Sequence, residues 1–384
     1  MNKSLSDLIN LIKHRYPDQK PVPLHAPVFF GNEKKYLNEC IETTFVSYVG
    51  SFVSKFEEMT AQFTGSKYAV AVVNGTAALQ LALLCAGVKP GDEVITQALT
   101  FVATANAVSH CGAKPVFVDV DKSTLGMSPD SLEDFLSSNC IMKDGKCVNK
   151  NSGNTISAIV PMHTFGHSCK IEEIIEIADR FNINVIEDSA ESLGSYYKGR
   201  HTGTFGLAGI LSYNGNKTIT TGGGGMIITD NKEFAEKAKH LSTTAKKPHA
   251  WEFVHDMIAF NYRLTNVSAA IGTAQMEVID QILKNKRETS QIYKDFFKNT
   301  EYEFINEPQN SKSNYWLNAF LLNDKKERDE FLNFSSENSV MCRPIWNLMT
   351  DLEMYKDCRH DSLSNSKFLQ ERIVNLPSSY IAER

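Results

Sequence analysis

YAVAVVNGTAALQLALLCAGV, residues 68–88, decides the architecture. Its first half, YAVAVVNG (68–75), is an apolar, Val-rich run of the kind found in strands buried on both faces. Its second half, TAALQLALLCAGV (76–88), reads as a helix, and Gly91-Asp92 marks a turn after it. Downstream the alternation repeats. EVITQAL (93–99) is a strand, TANAVSHCG (104–112) a helix, PVFVDV (115–120) a strand, and SPDSLEDFL (128–136) a helix opened by a Ser/Asp start signal. The polar segment 139–154 (NCIMKDGKCVNKNSGN) reads as an exposed excursion. TISAIVPMHT (155–164) and NVIEDSA (184–190) are strands around IEEIIEIADRF, whose Ile171, Ile174, Ile175, Ala178 and Phe181 fall at helical spacing. GILSYN (209–214) and GMIITD (225–230) follow, separated by TITTGGGG. Alternating strands and helices specify an α/β domain with a large mixed, mostly parallel sheet.

The pattern changes after about Arg263. Leu264, Val267, Ile271, Ala274 and Val278 form the stripe of one long helix running towards Asn299, and short strands mix with charged helices beyond it. The expected division is an N-terminal extension (1–40) packing with the small domain, a large α/β domain (41–261) and a smaller α+β domain (262–384). The extension itself reads as a short amphipathic helix stopped before Pro17.

The chain has 384 residues, 42% hydrophobic and 22% charged, with 40 basic and 45 acidic side chains, a net charge of −5. That balance speaks against nucleic acid as the main partner. No stretch reaches the roughly 20 apolar residues of a membrane helix, and the N-terminus lacks a secretory h-region, so the expected compartment is the cytoplasm. None of the eight cysteines forms a CxxC pair, and they are expected as reduced, mostly buried thiols. His163 and His167 flank HTFGH without the further ligands a zinc site needs; no metal is expected.

Four features carry chemistry. Asn74 to Leu79 (NGTAAL) joins a strand to a helix, where unpaired amides and the dipole suit a phosphate; Gly75 permits close approach and Thr76 adds a hydroxyl, with a simple Thr76 helix cap as the alternative. Asp188 ends a predicted strand, where ligands of open α/β sheets gather; it serves either to hold a ring nitrogen protonated or only to cap, and Glu191 lies three residues on. Lys217 sits between an apolar strand and Gly222–Gly225, a run that either lets backbone pass close to a flat ligand or forms a flexible turn. A lysine drawn into a dry pocket becomes a Schiff-base nucleophile. Phe101, at a strand-to-helix junction, offers a stacking face or core packing. Together these four describe a pyridoxal phosphate site.

The same residues carry a family resemblance. YVGSFVSKFE, NGTAALQLAL, TFVATANAV, PMHTFG, VIEDSAESLGS, SYNGNKTITTGGGGMI, NYRLTNVSAAIGTAQ, RPIW and NLPSS make the chain resemble the DegT/DnrJ/StrS pyridoxal-phosphate nucleotide-sugar aminotransferases over nearly its whole length. The resemblance implies the type I, aspartate aminotransferase-like fold and a homodimer with shared active sites. It implies Lys217 as the Schiff-base lysine, Asp188 as the pyridine-nitrogen partner, Thr76, Ala77 and Ser212 at the phosphate, and Phe101 stacked on the ring. It further implies Asn261 reaching the phosphate of the other subunit's cofactor. Glu191 departs from the commoner Gln or His at the ring oxygen, and is expected to be protonated near neutral pH. RPIWNLMT departs too, since members often have His near Thr350. His163, Arg263 and Lys246 are substrate-side candidates. For His163 the alternative is strand-end packing; for Lys246, in the 241–256 segment, it is simple solvation.

The closest subgroup is the LegC-type 4-aminotransferases. It implies transfer of an amino group from L-glutamate to a UDP-linked 2-acetamido 4-keto-6-deoxy sugar by a ping-pong mechanism, for a surface polysaccharide or nonulosonic acid. Lys217 stands where the related sugar dehydratases carry His, which favours amino transfer. A sugar dehydratase or a non-catalytic cofactor-binding regulator are the alternatives. A nicotinamide dehydrogenase would share the sheet, but no GxGxxG follows the early strand.

Overall fold

The structure, a computed structural model, describes residues 2–382. Seven strands lie side by side in the order Tyr68–Val72, Gly225–Thr229, Ala208–Ser212, Asn184–Asp188, Ile156–Val160, Glu93–Gln97 and Lys114–Val118. Neighbours are parallel except at Gly225–Thr229, which runs antiparallel to both of its partners. The expected large, mixed, mostly parallel sheet is therefore present. Period-two alternation feeds both faces. Val70, Val72 and Ile227 join the helices Gly75–Cys85 and Lys232–Ser242 on one side. Ala71, Met226 and Ile228 join Ser51–Thr64 and Asn266–Glu277 on the other.

A second, antiparallel sheet has the order Glu303–Phe304, Asn318–Leu321, Ile373–Leu376, Arg343–Pro344. The helix Lys3–Arg15, capped by Asn2, buries Leu5, Leu8, Ile9 and Ile12, one stripe at i, i+3, i+4, i+7 spacing. That stripe shares a core with Phe320 and Val374 of this sheet.

Two expectations are corrected. Residues 139–154 are not a bare excursion: Cys140–Lys143 and Lys146–Asn149 pair as a hairpin. Asp144 and Gly145 both have positive φ, 50° and 75°, as a two-residue turn with that hand of twist requires. Buried Asn149 donates to Glu93 Oε2 at 2.7 Å, tying the hairpin to the sheet. The single long helix after Leu264 is two, Asn266–Glu277 and Ile279–Phe297, broken at Val278, whose φ is −117°. All eight cysteines are free, six of them buried. Among the described residues no His/Cys/Asp/Glu cluster suits a metal, and no helix is long and apolar enough to cross a membrane.

Because Gly225–Thr229 is reversed, the segment 213–224 leaves and re-enters the sheet at one edge. Ser212, Gly225 and Val72 stand in register there. A Cβ on Gly225 would lie 2.4 Å from the Asn74 carbonyl oxygen, whereas one on Gly223 would meet nothing within 4 Å. Gly225→Ala is expected to lose about 1–3 kcal/mol from overpacking against backbone, and Gly223→Ala to change stability by about 1 kcal/mol or less. Urea unfolding of the two variants measures both; equal midpoints would contradict the packing described.

Candidate active site

The carboxyl ends of the strands surround a cavity of about 280 Å³. One wall is the start of the helix Gly75–Cys85. Asn74, in extended backbone, caps it, its Oδ1 accepting from the Ala77 amide at 2.8 Å. The cap is thus Asn74 and not Thr76, whose residue lines the cavity. Ala77, expected at a phosphate, gives its amide to the Asn74 cap and does not line the cavity. The Gly75 and Thr76 amides have no backbone acceptor among the described residues. Gly75 is held tight against Ser212, where a Cβ would stand 3.0 Å from the serine Cβ. Two amides at the positive end of a helix and one hydroxyl thus converge on one corner.

Asp188 ends its strand inside the cavity, buried. Thr104 Oγ1 donates to its Oδ2 at 2.8 Å and the Ala190 amide to its Oδ1 at 3.2 Å. Lys217 and Glu191 meet beside it, Nζ to Oε1 3.2 Å. The Phe165 amide donates to the other Glu191 oxygen at 2.9 Å. Phe165 reaches that position with φ 57°, a left-handed conformation that bulky residues avoid. Burial drives the Glu191 carboxyl up to about 7, against the opposing pull of Lys217 and the Phe165 amide. Half-exposed Phe101 lines the opening. The indoles of Trp316 and Trp346 line the cavity too, and Lys217 Nζ lies 4.0 Å from the Trp316 ring centre.

The structure brings Gly75, Thr76, Phe101, Asp188, Glu191, Ser212 and Lys217 together in this one cavity. It leaves others out. His163 is fully buried and both ring nitrogens are engaged: Nε2 with Glu187 at 2.9 Å, and Nδ1 as acceptor from the Cys169 amide at 3.1 Å. That placement matches the strand-end packing alternative, and His163 does not line the cavity. Glu187 also accepts from the amides of Gly203, Phe205 and Gly206. Asn261, Arg263 and Lys246 do not line this chain's cavity. Arg263 donates to Asn261 Oδ1 at 2.8 Å and stacks on Tyr48, while Lys246 lies over Phe253. The glycine run also stays outside the cavity; its close approach is to the Asn74–Gly75 backbone, not to a flat ligand. Sequence reasoning missed Trp316 and the Thr104 hydroxyl. The chain has only three tryptophans, and two of them line this space, a signal that composition alone carried.

The residues present fit pyridoxal phosphate. Free helix amides and Ser212 suit its phosphate, a fixed carboxylate its ring nitrogen, an aromatic face its ring, and the partly buried Lys217 amine its aldehyde.

The DegT/DnrJ/EryC1/StrS aminotransferase family model matches residues 30–381. The chain is 38% identical over 359 residues to GDP-perosamine synthase of Escherichia coli O157:H7, covering 94% of this chain and 93% of that one. It is 35% identical over 365 residues to GDP-perosamine synthase of Vibrio cholerae, covering 93% and 94%. Among solved structures, Helicobacter pylori PseC, an aminotransferase involved in the biosynthesis of pseudoaminic acid, shares the fold with a TM-score of 0.84 at 22% identity over 94% of both chains.

Glu191 makes stability depend on pH. Its carboxyl titrates near 7 when folded, against a usual 4.5. As pH rises the unfolded chain releases this proton first, so the group's contribution is full below the usual value and lost through about 7. Glu191→Gln removes that loss. In the apoprotein, its stability relative to the parent should rise from about pH 5 to about pH 8, by up to roughly 3 kcal/mol. Denaturant titrations at several pH values test this; a difference that does not vary with pH would refute it.

Proposed function

The chain belongs to the DegT/DnrJ/EryC1/StrS aminotransferase family, and from that premise we propose that it moves an amino group from L-glutamate to the 4-keto carbon of a nucleotide-linked 6-deoxy sugar. It is a pyridoxal phosphate-dependent sugar aminotransferase. One observation carries the reading: Lys217, Glu191 and Asp188 meet in one cavity below the free amides of Gly75 and Thr76.

When bound, the cofactor supplies an electron sink for the charge left at the substrate carbon. Gly75, Thr76 and Ser212 would hold its phosphate. Asp188, steadied by Thr104, would hold the ring nitrogen. Glu191 in its protonated form would donate to the ring oxygen, and Phe101 would cover the ring. Lys217 would hold the cofactor through its amine, and that amine, in its base form, would take a proton from the donor's α-carbon and return it as general acid. 2-Oxoglutarate leaves before the keto-sugar enters, giving ping-pong kinetics.

Asn261 and Lys246 are exposed and Arg263 partly so, and Trp251, Phe253 and Ile258 of the neighbouring segment are 79%, 79% and 97% exposed. Apolar exposure of this extent supports a homodimer in which these residues reach the partner's site. The reading places the enzyme in the cytoplasm, making a precursor of a surface polysaccharide.

For the sugar, the sequence favours a UDP-linked 2-acetamido-2,6-dideoxy-hexos-4-ulose. The two GDP-perosamine synthases among its relatives favour a GDP-linked 4-keto-6-deoxyhexose instead. The test is the visible spectrum of the purified protein. L-Glutamate should bleach a yellow band that is absent in Lys217→Ala, and the correct keto-sugar should restore it. UDP-linked and GDP-linked sugars offered separately decide between the two nucleotides. A band that L-glutamate leaves untouched would overturn the donor assignment, and no band after adding pyridoxal phosphate would overturn the whole reading.

A further inference from the structure

A second cavity of about 430 Å³ adjoins the first and shares Asn216, Trp316 and Trp346 with it. Its polar groups are unusual for being unmet. Arg343 and Asn375 are directly paired across neighbouring strands, so their side chains leave the small sheet on one face, and both line this cavity. Arg343 is exposed to solvent and forms no hydrogen bond or ion pair with any described residue; the buried unmet atoms are those of Asn375 and His25. Asn375 is 3% exposed, yet its Oδ1 has no partner. His25 lines the same cavity, and its Nδ1 is buried without a partner as well.

The missing partner of His25 has a definite sign. Lys286 Nζ lies 2.9 Å from His25 Nε2, 2.8 Å from the Ser378 carbonyl and 3.1 Å from the Trp316 carbonyl. With Lys286 as an ammonium, a state held below about pH 7 because burial brings its amine down to about 7, three acceptors match its three N–H bonds, so Nε2 accepts and the ring proton sits on Nδ1. Nδ1–H is therefore a donor in want of an acceptor. No Asp or Glu lines this cavity, in contrast to the first, which holds Asp188 and Glu191. One guanidinium, one imidazole N–H and an amide oxygen able to orient the guanidinium are a receptor for a single negative charge of planar shape.

We infer that this second cavity receives the side-chain carboxylate of a dicarboxylic amino donor, with Arg343 as its counter-charge. The inference rests on the proposed transamination and deepens it. The donor's α-carboxylate stays on the reacting carbon beside Lys217, while the chain's far end passes the tryptophans into the second cavity. There Arg343 turns inward, donating to the carboxylate and to Asn375 Oδ1, and His25 Nδ1–H donates to the second carboxylate oxygen. Arg343 is a specificity-determining residue in this scheme. A diphosphate, carrying two charges, would call for more than one cation.

The test is calorimetric titration of the holoenzyme with glutarate and with pentanoate, acids of equal chain length and one or two carboxylates. Glutarate should bind about tenfold or more tighter, Arg343→Gln should abolish the preference, and Arg343→Lys should keep part of it. In the wild type, equal affinities would overturn the inference. So would a preference that survives Arg343→Gln, including the case where that variant weakens only binding of the nucleotide sugar. Neither acid carries an amine, so the result does not depend on turnover. If L-glutamate fails to bleach the wild type while the Arg343-dependent preference holds, the L-glutamate assignment falls and the carboxylate site stands for another dicarboxylic donor.

Discussion

The closest backbone approach at the site is that of Gly225 to Asn74, and the carboxyl edge of the sheet is arranged around it. Only hydrogen fits at that Cα. The contact seats the helix beginning at Gly75 directly over the edge, with its first amides unspent. It also brings Ser212, the register partner of Gly225, to the same corner. A residue with a side chain at Gly225 would lift the helix, and amides and hydroxyl would part. Strand reversal supplies the rest. The connection carrying Lys217 begins and ends at this edge, so the amine needs no long excursion to reach the cavity.

Electrostatics divides two adjacent carboxylates. Glu187 and Asp188 are consecutive on one strand and point to opposite faces. Glu187 is buried among three backbone amides and His163, where the hydrogen bonds of that network hold its carboxyl low against the cost of burial. Asp188 faces the cavity with one hydroxyl and one amide as its company, leaving capacity for a ligand. The same strand thus spends one carboxylate on architecture and keeps the other for chemistry.

Much of this was legible in the sequence because its signals are local. Val-rich runs buried on both faces marked the strands, and the strand-end positions of Asp188, Lys217 and Phe101 marked the cavity. What was not legible depended on packing. The choice between the two readings of His163 turns on Glu187, 24 positions away and invisible to a local reading. The cap at the start of the helix falls to Asn74, which takes the Ala77 amide, and not to Thr76. The Asp144-Gly145 turn was local, and its hairpin was overlooked only because the flanking residues are polar. Trp316 comes from the far part of the chain, and no spacing connects it to Lys217.

Trp316 also ties two parts of the molecule mechanically. Its indole N–H holds the carbonyl of Asn216 at 2.7 Å, one residue before Lys217, and it lies two residues before the strand Asn318–Leu321 of the small sheet. A displacement of that sheet therefore pulls on the peptide next to the amine. Widening the cavity and repositioning its nucleophile are coupled through one bond, so the wall acts as a lever on the lysine and not merely as a screen against water.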